Sequence, residues 1–184
     1  MDAAEGLYSI SVKDYLNGER ESPIKHEYIH GEVFAMAGGS DVHNTITLNI
    51  ATKLVASARE KGCRAYSSDM KVRAGESVFY YPDVMFVCED DSNDYYKEKP
   101  CVIVEVLSSS TNRIDKNEKR HAYLAMTSLK LYLIVDSRRQ YVLGYYRTKS
   151  GWQEKLFGEG EEIPIPCADT TLTTEDIYIQ TPYL

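Results

Sequence analysis

The segment Val102–Leu107 reads Val-Ile-Val-Glu-Val-Leu, almost continuously apolar, as expected of a central strand covered on both faces. One residue breaks the run. Glu105 sits between Val104 and Val106, and an ionised carboxylate in such surroundings is costly unless a cation or hydrogen-bond donors compensate it. Whatever this chain folds into must bring a compensating partner to a buried strand. Candidates lie on either side. Upstream, Tyr81-Pro82-Asp83 leads into the apolar Val84–Cys88. Downstream, a helix predicted from Ile114 to about Leu129 carries an inner stripe of Ala122, Ala125, Met126 and Leu129, with Lys119 on or next to it by its spacing of three from Ala122 and seven from Met126. The strand Lys130–Asp136 follows.

The rest of the chain alternates short strands and helices. Ser11 caps a short helix ended by Asn17-Gly18, and Glu27–Ala37 divides at His30-Gly31 into a hairpin. Glu32 opens its second strand and, by alternation, shares a face with Phe34 and Met36. Gly38-Gly39-Ser40-Asp41 starts a helix whose stripe Val42, Ile46, Ile50, Leu54 runs to Lys61, with Gly62 as the stop; His43 lies in its first turn. Arg64–Arg73 reads as one strand, hairpinned to the next. Pro82 marks a bend or edge, because proline removes a ladder hydrogen bond. Glu89–Lys99 lacks the glycine and closing glutamate of a calcium loop, so it reads as a solvated connection. Strands at Gln140–Arg147 and Trp152–Phe157 follow, and the tail is expected to wrap a sheet edge.

Composition narrows the class. At 184 residues the chain suits a single domain, residues 1–184, and its net charge of −7 argues against a protein that coats nucleic acid through a global positive field. A metal centre on an acidic protein remains compatible with a polyanionic substrate. The four cysteines, Cys63, Cys88, Cys101 and Cys167, are widely spaced with no Cys-x-x-Cys pair, so they read as buried free thiols rather than a zinc site or disulfide framework. No apolar run approaches the ~18 residues of a membrane span, and the expectation is a soluble, cytoplasmic protein.

Asp83, Glu105 and Lys119, with Glu32 as a fourth group, supply what phosphodiester hydrolysis needs: hard oxygen ligands for a divalent cation and an ammonium that orients water. Read singly, Asp83 also fits a strand-end cap, Glu105 a closed ion pair with Lys119 or Lys71, and the lysines solvated stems. Together these residues resemble a known group. Pro82-Asp83 with Glu105 on an apolar strand is similar to the Pro-Asp…(Asp/Glu)-x-Lys signature of the restriction-endonuclease-like superfamily. The blocks His26–Ala37 with His43, Tyr81–Val84, Val104–Thr111 with Asp115, Lys119 and Tyr123, and Tyr132–Asp136 resemble the Uma-two family of putative restriction endonucleases, over about Ser11–Ile179.

The resemblance implies an α/β fold of restriction-endonuclease-like type, a central mixed sheet flanked by helices. It implies a magnesium- or manganese-dependent endonuclease acting on DNA, with Asp83 and Glu105 as metal ligands and Glu32 reaching the same cleft. The signature's lysine position, two after Glu105, holds Leu107. Lys119 takes that role by resemblance to the family, Lys71 is the rival donor, and His43 lines the site. A homodimer, paired through strands near Tyr141–Trp152, would give two active sites for a duplex cut. The alternative is a decayed nuclease fold that binds nucleic acid or protein.

Overall fold

The computed structural model describes residues 9–108 and 115–184. Helix α1 (Val12–Glu19) is capped by Ser11, whose hydroxyl accepts from Asp14 N–H at 3.1 Å. The hairpin β1 (His26–Ile29) and β2 (Glu32–Ala35) turns through His30 and Gly31, both with positive φ. Helix α2 (Asp41–Lys61) starts at Ser40 and stops at Gly62, whose left-handed φ of 69° suits a residue without a side chain.

Arg64–Arg73, expected as one strand, is two: β3 (Arg64–Ser67) and β4 (Lys71–Arg73), which belong to different sheets. The break is at Ser68, whose φ of 52° no strand can contain. β5 (Val78–Tyr80) and β6 (Val84–Val87) likewise part at Pro82 into different sheets. The two crossings lie side by side, Ser68 N–H donating to the Asp83 carbonyl at 3.2 Å. Asp83 therefore stands at a double crossover between sheets.

The remaining strands are β7 (Tyr96–Lys97), β8 (Val102–Leu107), β9 (Leu131–Asp136), β10 (Val142–Thr148), β11 (Gly151–Phe157), β12 (Glu162–Ile165) and β13 (Thr170–Thr173). The larger sheet runs β11-β10-β9-β8-β6-β3 and the smaller β2-β1-β5-β4-β7. β8 and β9 are parallel, Glu105 opposite Ile134, and β6 pairs antiparallel with both β8 and β3, so the sheet is mixed. Among the described residues β10 is interior and β11 is the edge, so of the strands expected to pair two copies only β11 has an open side there.

Alternation along β8 decides where Glu105 points. Val102, Val104 and Val106 pack with Ile46, Ile50 and Leu54 of α2, whereas Ile103 and Leu107 join Val72 and Tyr80 of the smaller sheet and Tyr123. Glu105 shares the parity of Ile103 and Leu107 and so faces the gap between the two sheets. That gap is closed at one end by a π-helical turn (Asp115–Lys119) running into α3 (Arg120–Ala125). The helix is shorter than the predicted run to Leu129. Arg147 takes the carbonyls of Leu124, Met126 and Leu129, and Trp152 Nε1 also donates to Leu124, so side chains of β10 and β11 satisfy its open end. Its predicted start at residue 114, and the preceding loop at 109–112, lie outside the described residues.

Two further expectations are corrected. The tail does not wrap an edge: Ile163, Ile165, Leu172, Ile177 and Tyr178, from β12, β13 and α4 (Thr174–Tyr178), pack in the layer of α2. The cysteines are not free thiols, because Cys63 is bonded to Cys88 and Cys101 to Cys167. Their wide spacing was uninformative because the order β3-β6-β8 sets distant strand ends beside one another.

β9 closes on Asp136, which is 1% exposed and accepts from Arg138 N–H, Nε and Nη2 at 2.8–3.0 Å. Burial pushes its carboxyl up, but the charge-assisted bonds from Arg138 outweigh this and hold it below the ordinary carboxylate range. A depressed folded value means stability that is complete above the unfolded pKa of about 3.9 and is lost as pH falls through the folded one. Asp136→Asn is expected to unfold more easily at pH 7 by about 2 kcal/mol, discounted for the half-exposed Arg138, and to flatten the acid limb below pH ~4. Urea midpoints measured against pH read both; parallel limbs for the two proteins would refute it.

Candidate active site

Three carboxylates and one ammonium meet where the two sheets separate. β6 and β8 pair Val84 with Val104, so the next step of the register sets Asp83 opposite Glu105, with Cβ atoms about 5 Å apart in such a pair. Asp83 Oδ2 accepts from Val106 N–H at 2.7 Å, and Oδ1 lies 3.2 Å from His43 Nε2 at the start of α2. His43 can lie there because Gly39 stands beside it: a Cβ on Gly39 would stand 2.7 Å from His43 Nδ1.

Glu105 Oε1 accepts from Tyr123 Oη at 2.7 Å and lies 3.4 Å from Lys119 Nζ. Tyr123 is fully buried, and burial first, then the nearby Glu105 charge, raise its phenol well above the ordinary value, so it serves only as a proton-bearing donor. Lys119 Nζ is 2.9 Å from Glu27 Oε1 and 5.4 Å from the ring centre of Tyr80. Glu27 Oε1 also accepts from Tyr81 N–H at 3.2 Å. The strand parity explains Glu27: its neighbour Tyr28 packs on Tyr15 and Phe79 beneath the smaller sheet, so Glu27 turns the opposite way, into the gap.

Of the residues singled out from the sequence, the fold brings Asp83, Glu105, Lys119 and His43 together. Glu32 lies elsewhere. It is exposed on the edge strand β2, opposite Ile29, and the acidic place expected for it is filled by Glu27. Lys71 also points away. It is on the α1 side of the smaller sheet, donating to Tyr81 Oη at 3.1 Å, while that hydroxyl donates to Glu19 at 2.8 Å. Desolvation lowers the Lys71 pKa. Glu27 is not singled out by the sequence: alternation puts it on the same face of the hairpin as Glu32, and only the pairing of β1 with β5 separates the two.

Electrostatics define what this cluster can hold. Among the described residues, Glu27, Asp83 and Glu105 against Lys119 leave a formal charge of −2 with His43 neutral. Oxygen donors with that charge excess match the ligand chemistry of a hard divalent cation such as Mg²⁺ or Mn²⁺, but their oxygens are not drawn together within 4.8 Å of one another as a ligand set. Beside Asp83 and His43 opens a cleft of about 580 Å³, lined also by Lys25, Gly38, Gly39, Ser68 and Tyr81.

The sequence model of the Uma2 family, described as a putative restriction endonuclease, matches residues 12–175. The chain belongs to the Uma2 family. Two uncharacterized proteins of Synechocystis sp. are each 32% identical to it. One aligns over 161 residues (84% of this chain, 91% of the relative) and the other over 173 (92% and 91%). A crystal structure of a putative nuclease belonging to DUF820 from Anabaena variabilis superposes with a TM-score of 0.72 at 15% identity, covering 92% of this chain and 97% of that one. Family and neighbour agree on a restriction-endonuclease-like nuclease fold, with helices flanking mixed sheets. Among the described residues no helix is long and apolar enough to cross a membrane.

Proposed function

We propose that this Uma2-family protein is a divalent-metal-dependent endonuclease that hydrolyses DNA phosphodiesters in the cytoplasm, at the cluster Glu27, Asp83, Glu105 and Lys119. The observation that carries this reading is the excess charge of −2 assembled around a buried strand carboxylate, open to solvent beside Asp83. A magnesium or manganese ion bound by Asp83 and Glu105, with Glu27 completing the oxygen set, would supply an activated water and neutralise charge on the phosphate. The protein's own residues do the rest. The Val106 N–H and His43 fix the rotamer of Asp83, Tyr123 fixes Glu105, and Lys119 holds a positive charge where charge develops on the transferring phosphoryl group. Hydrolysis would join the water oxygen to phosphorus as the phosphorus–oxygen ester bond breaks, the water giving up a proton to solvent and the leaving oxygen taking one from solvent.

A second reading has its own observation. Leu107 fills the signature's lysine position and is fully buried, and Lys119 is held between Glu27 and Glu105, an arrangement that also suits a non-catalytic binding module. Plasmid DNA incubated with the protein separates the two. Nicking or linearisation in Mg²⁺ or Mn²⁺ that stops on adding EDTA is the expected result. A protein that retards DNA in a gel, cleaves it with neither ion and shows no melting shift with Mn²⁺ would establish the binding module instead.

A further inference from the structure

All four cysteines of the chain gather at the end of the larger sheet opposite the acidic cluster. Cys63 follows the Gly62 stop of α2, Cys88 closes β6, Cys101 precedes β8, and Cys167 lies in the connection from β12 to β13. Asp83 and Cys88 flank β6 at its two ends, roughly 16 Å apart at strand rise. The sulfurs of Cys88 and Cys101 are 3.8 Å apart although they belong to different disulfides. Those of Cys88, Cys101 and Cys167 all lie within 4.8 Å of one another, and the Cys63 sulfur, bonded to Cys88 but outside that group, would have to turn inward on reduction to complete a set of four.

Backbone contacts hold these positions independently of the sulfur bonds. Cys101 N–H donates to Phe86 at 2.8 Å, and the Cys101 carbonyl accepts from Lys130 and Leu131. Cys63 N–H donates to Ala58 at 3.0 Å, and β6 is paired with β3 through Arg64 and Val87. The Cys167 segment is pinned to α2 by Ser57 donating to the Ala168 carbonyl and by the 2.9 Å pair of Lys61 with Asp169. Reduction would therefore leave four thiols in one place rather than dispersed.

We propose that the reduced protein binds one zinc ion through Cys63, Cys88, Cys101 and Cys167, and that the paired disulfides are the oxidised, metal-free state of the same site. Tetrahedral zinc with Zn–S bonds of about 2.3 Å places its sulfurs about 3.8 Å apart, the separation Cys88 and Cys101 already have. Soft thiolates select zinc over the hard cations suited to the carboxylate cluster. The redox balance is closed. Two disulfides take four electrons and four protons from two molecules of a dithiol, which become cyclic disulfides, and zinc then displaces four thiol protons. In a reducing cytoplasm, where disulfides do not persist, the metal-bound form would be the working one. Its role is a staple joining α2, β6, β8 and the C-terminal hairpin.

The test uses the full chain, reduced with dithiothreitol, given zinc, desalted and analysed for metal. About one zinc per chain is expected, with all four thiols shielded from iodoacetamide, and about none after oxidation with diamide. Because Cys→Ser variants could fail to fold, cobalt added to the reduced wild type gives a second reading. Intense tetrahedral d–d bands with a thiolate-to-cobalt charge-transfer band support the site. Less than about 0.1 zinc per folded, reduced chain, or zinc retained unchanged by Cys101→Ser with Cys167→Ser, would overturn it. None of these readouts depends on nuclease activity.

Discussion

Glu105→Gln is expected to lower metal-supported DNA cleavage by about 10³-fold or more while leaving the fold intact. The substitution keeps the shape of the side chain and an oxygen able to accept from Tyr123, which stands 2.7 Å from Oε1. What it removes is the charge. Lys119 keeps its closer partner, Glu27, at 2.9 Å, so no buried cation is orphaned. The cluster's charge falls from −2 to −1, which without metal relieves repulsion among the carboxylates. Melting in EDTA should therefore stay within a few degrees of wild type or rise, whereas the upward shift that Mn²⁺ gives the wild type should vanish. Nicking of plasmid DNA and melting with and without Mn²⁺ measure all three. Cleavage that survived within about tenfold would end the assignment of Glu105 as a metal ligand.

The part of the site legible in sequence is the part that depends on local pattern. A carboxylate inside Val102–Leu107 is conspicuous because its neighbours fix its strand as buried. Lys119 follows from helical spacing, which survives the change from α to π geometry because the turn still delivers it to the face of Ala122 and Tyr123. Glu27 and Glu32 expose the limit. Antiparallel pairing puts Glu27 opposite Phe34 and Ile29 opposite Glu32, so both acids face the same side of the hairpin. They differ in which strand has an outer partner. β1 is covered by β5 and β2 is the edge, and no residue of the hairpin itself encodes that choice. The split of Arg64–Arg73 turns on the backbone of Ser68, a residue type without strong preference for positive φ. The cysteine cluster needs β3, β6 and β8 to be neighbours, a tertiary fact that spacing along the chain cannot carry.

Lys119→Met tests the other half of the cluster and should be the more damaging change to stability. Lys119 is 5% exposed and lies between Glu27 and Glu105, at 2.9 and 3.4 Å. Methionine fills the volume of the stem and removes the charge, leaving two carboxylates in the gap between the sheets. Removing one partner from a buried ion pair costs about 3–5 kcal/mol, because the charge left behind remains desolvated. The loss should appear in EDTA and be partly recovered in Mn²⁺, since a cation among the carboxylates replaces the missing ammonium. Cleavage should nonetheless stay depressed by about 10²-fold or more in Mn²⁺, because the metal cannot also supply the charge that Lys119 places beside the phosphate. Lys71→Met is the paired control. Its ammonium contacts Tyr81 on the α1 side of the smaller sheet and never enters the gap, so cleavage should remain within about threefold of wild type. Urea unfolding in EDTA and in Mn²⁺, with cleavage rates for both variants, decides the matter. A Lys119→Met protein as stable and as active as wild type, or a Lys71→Met protein that is folded but inactive, would move the catalytic lysine from Lys119 to Lys71 or remove it.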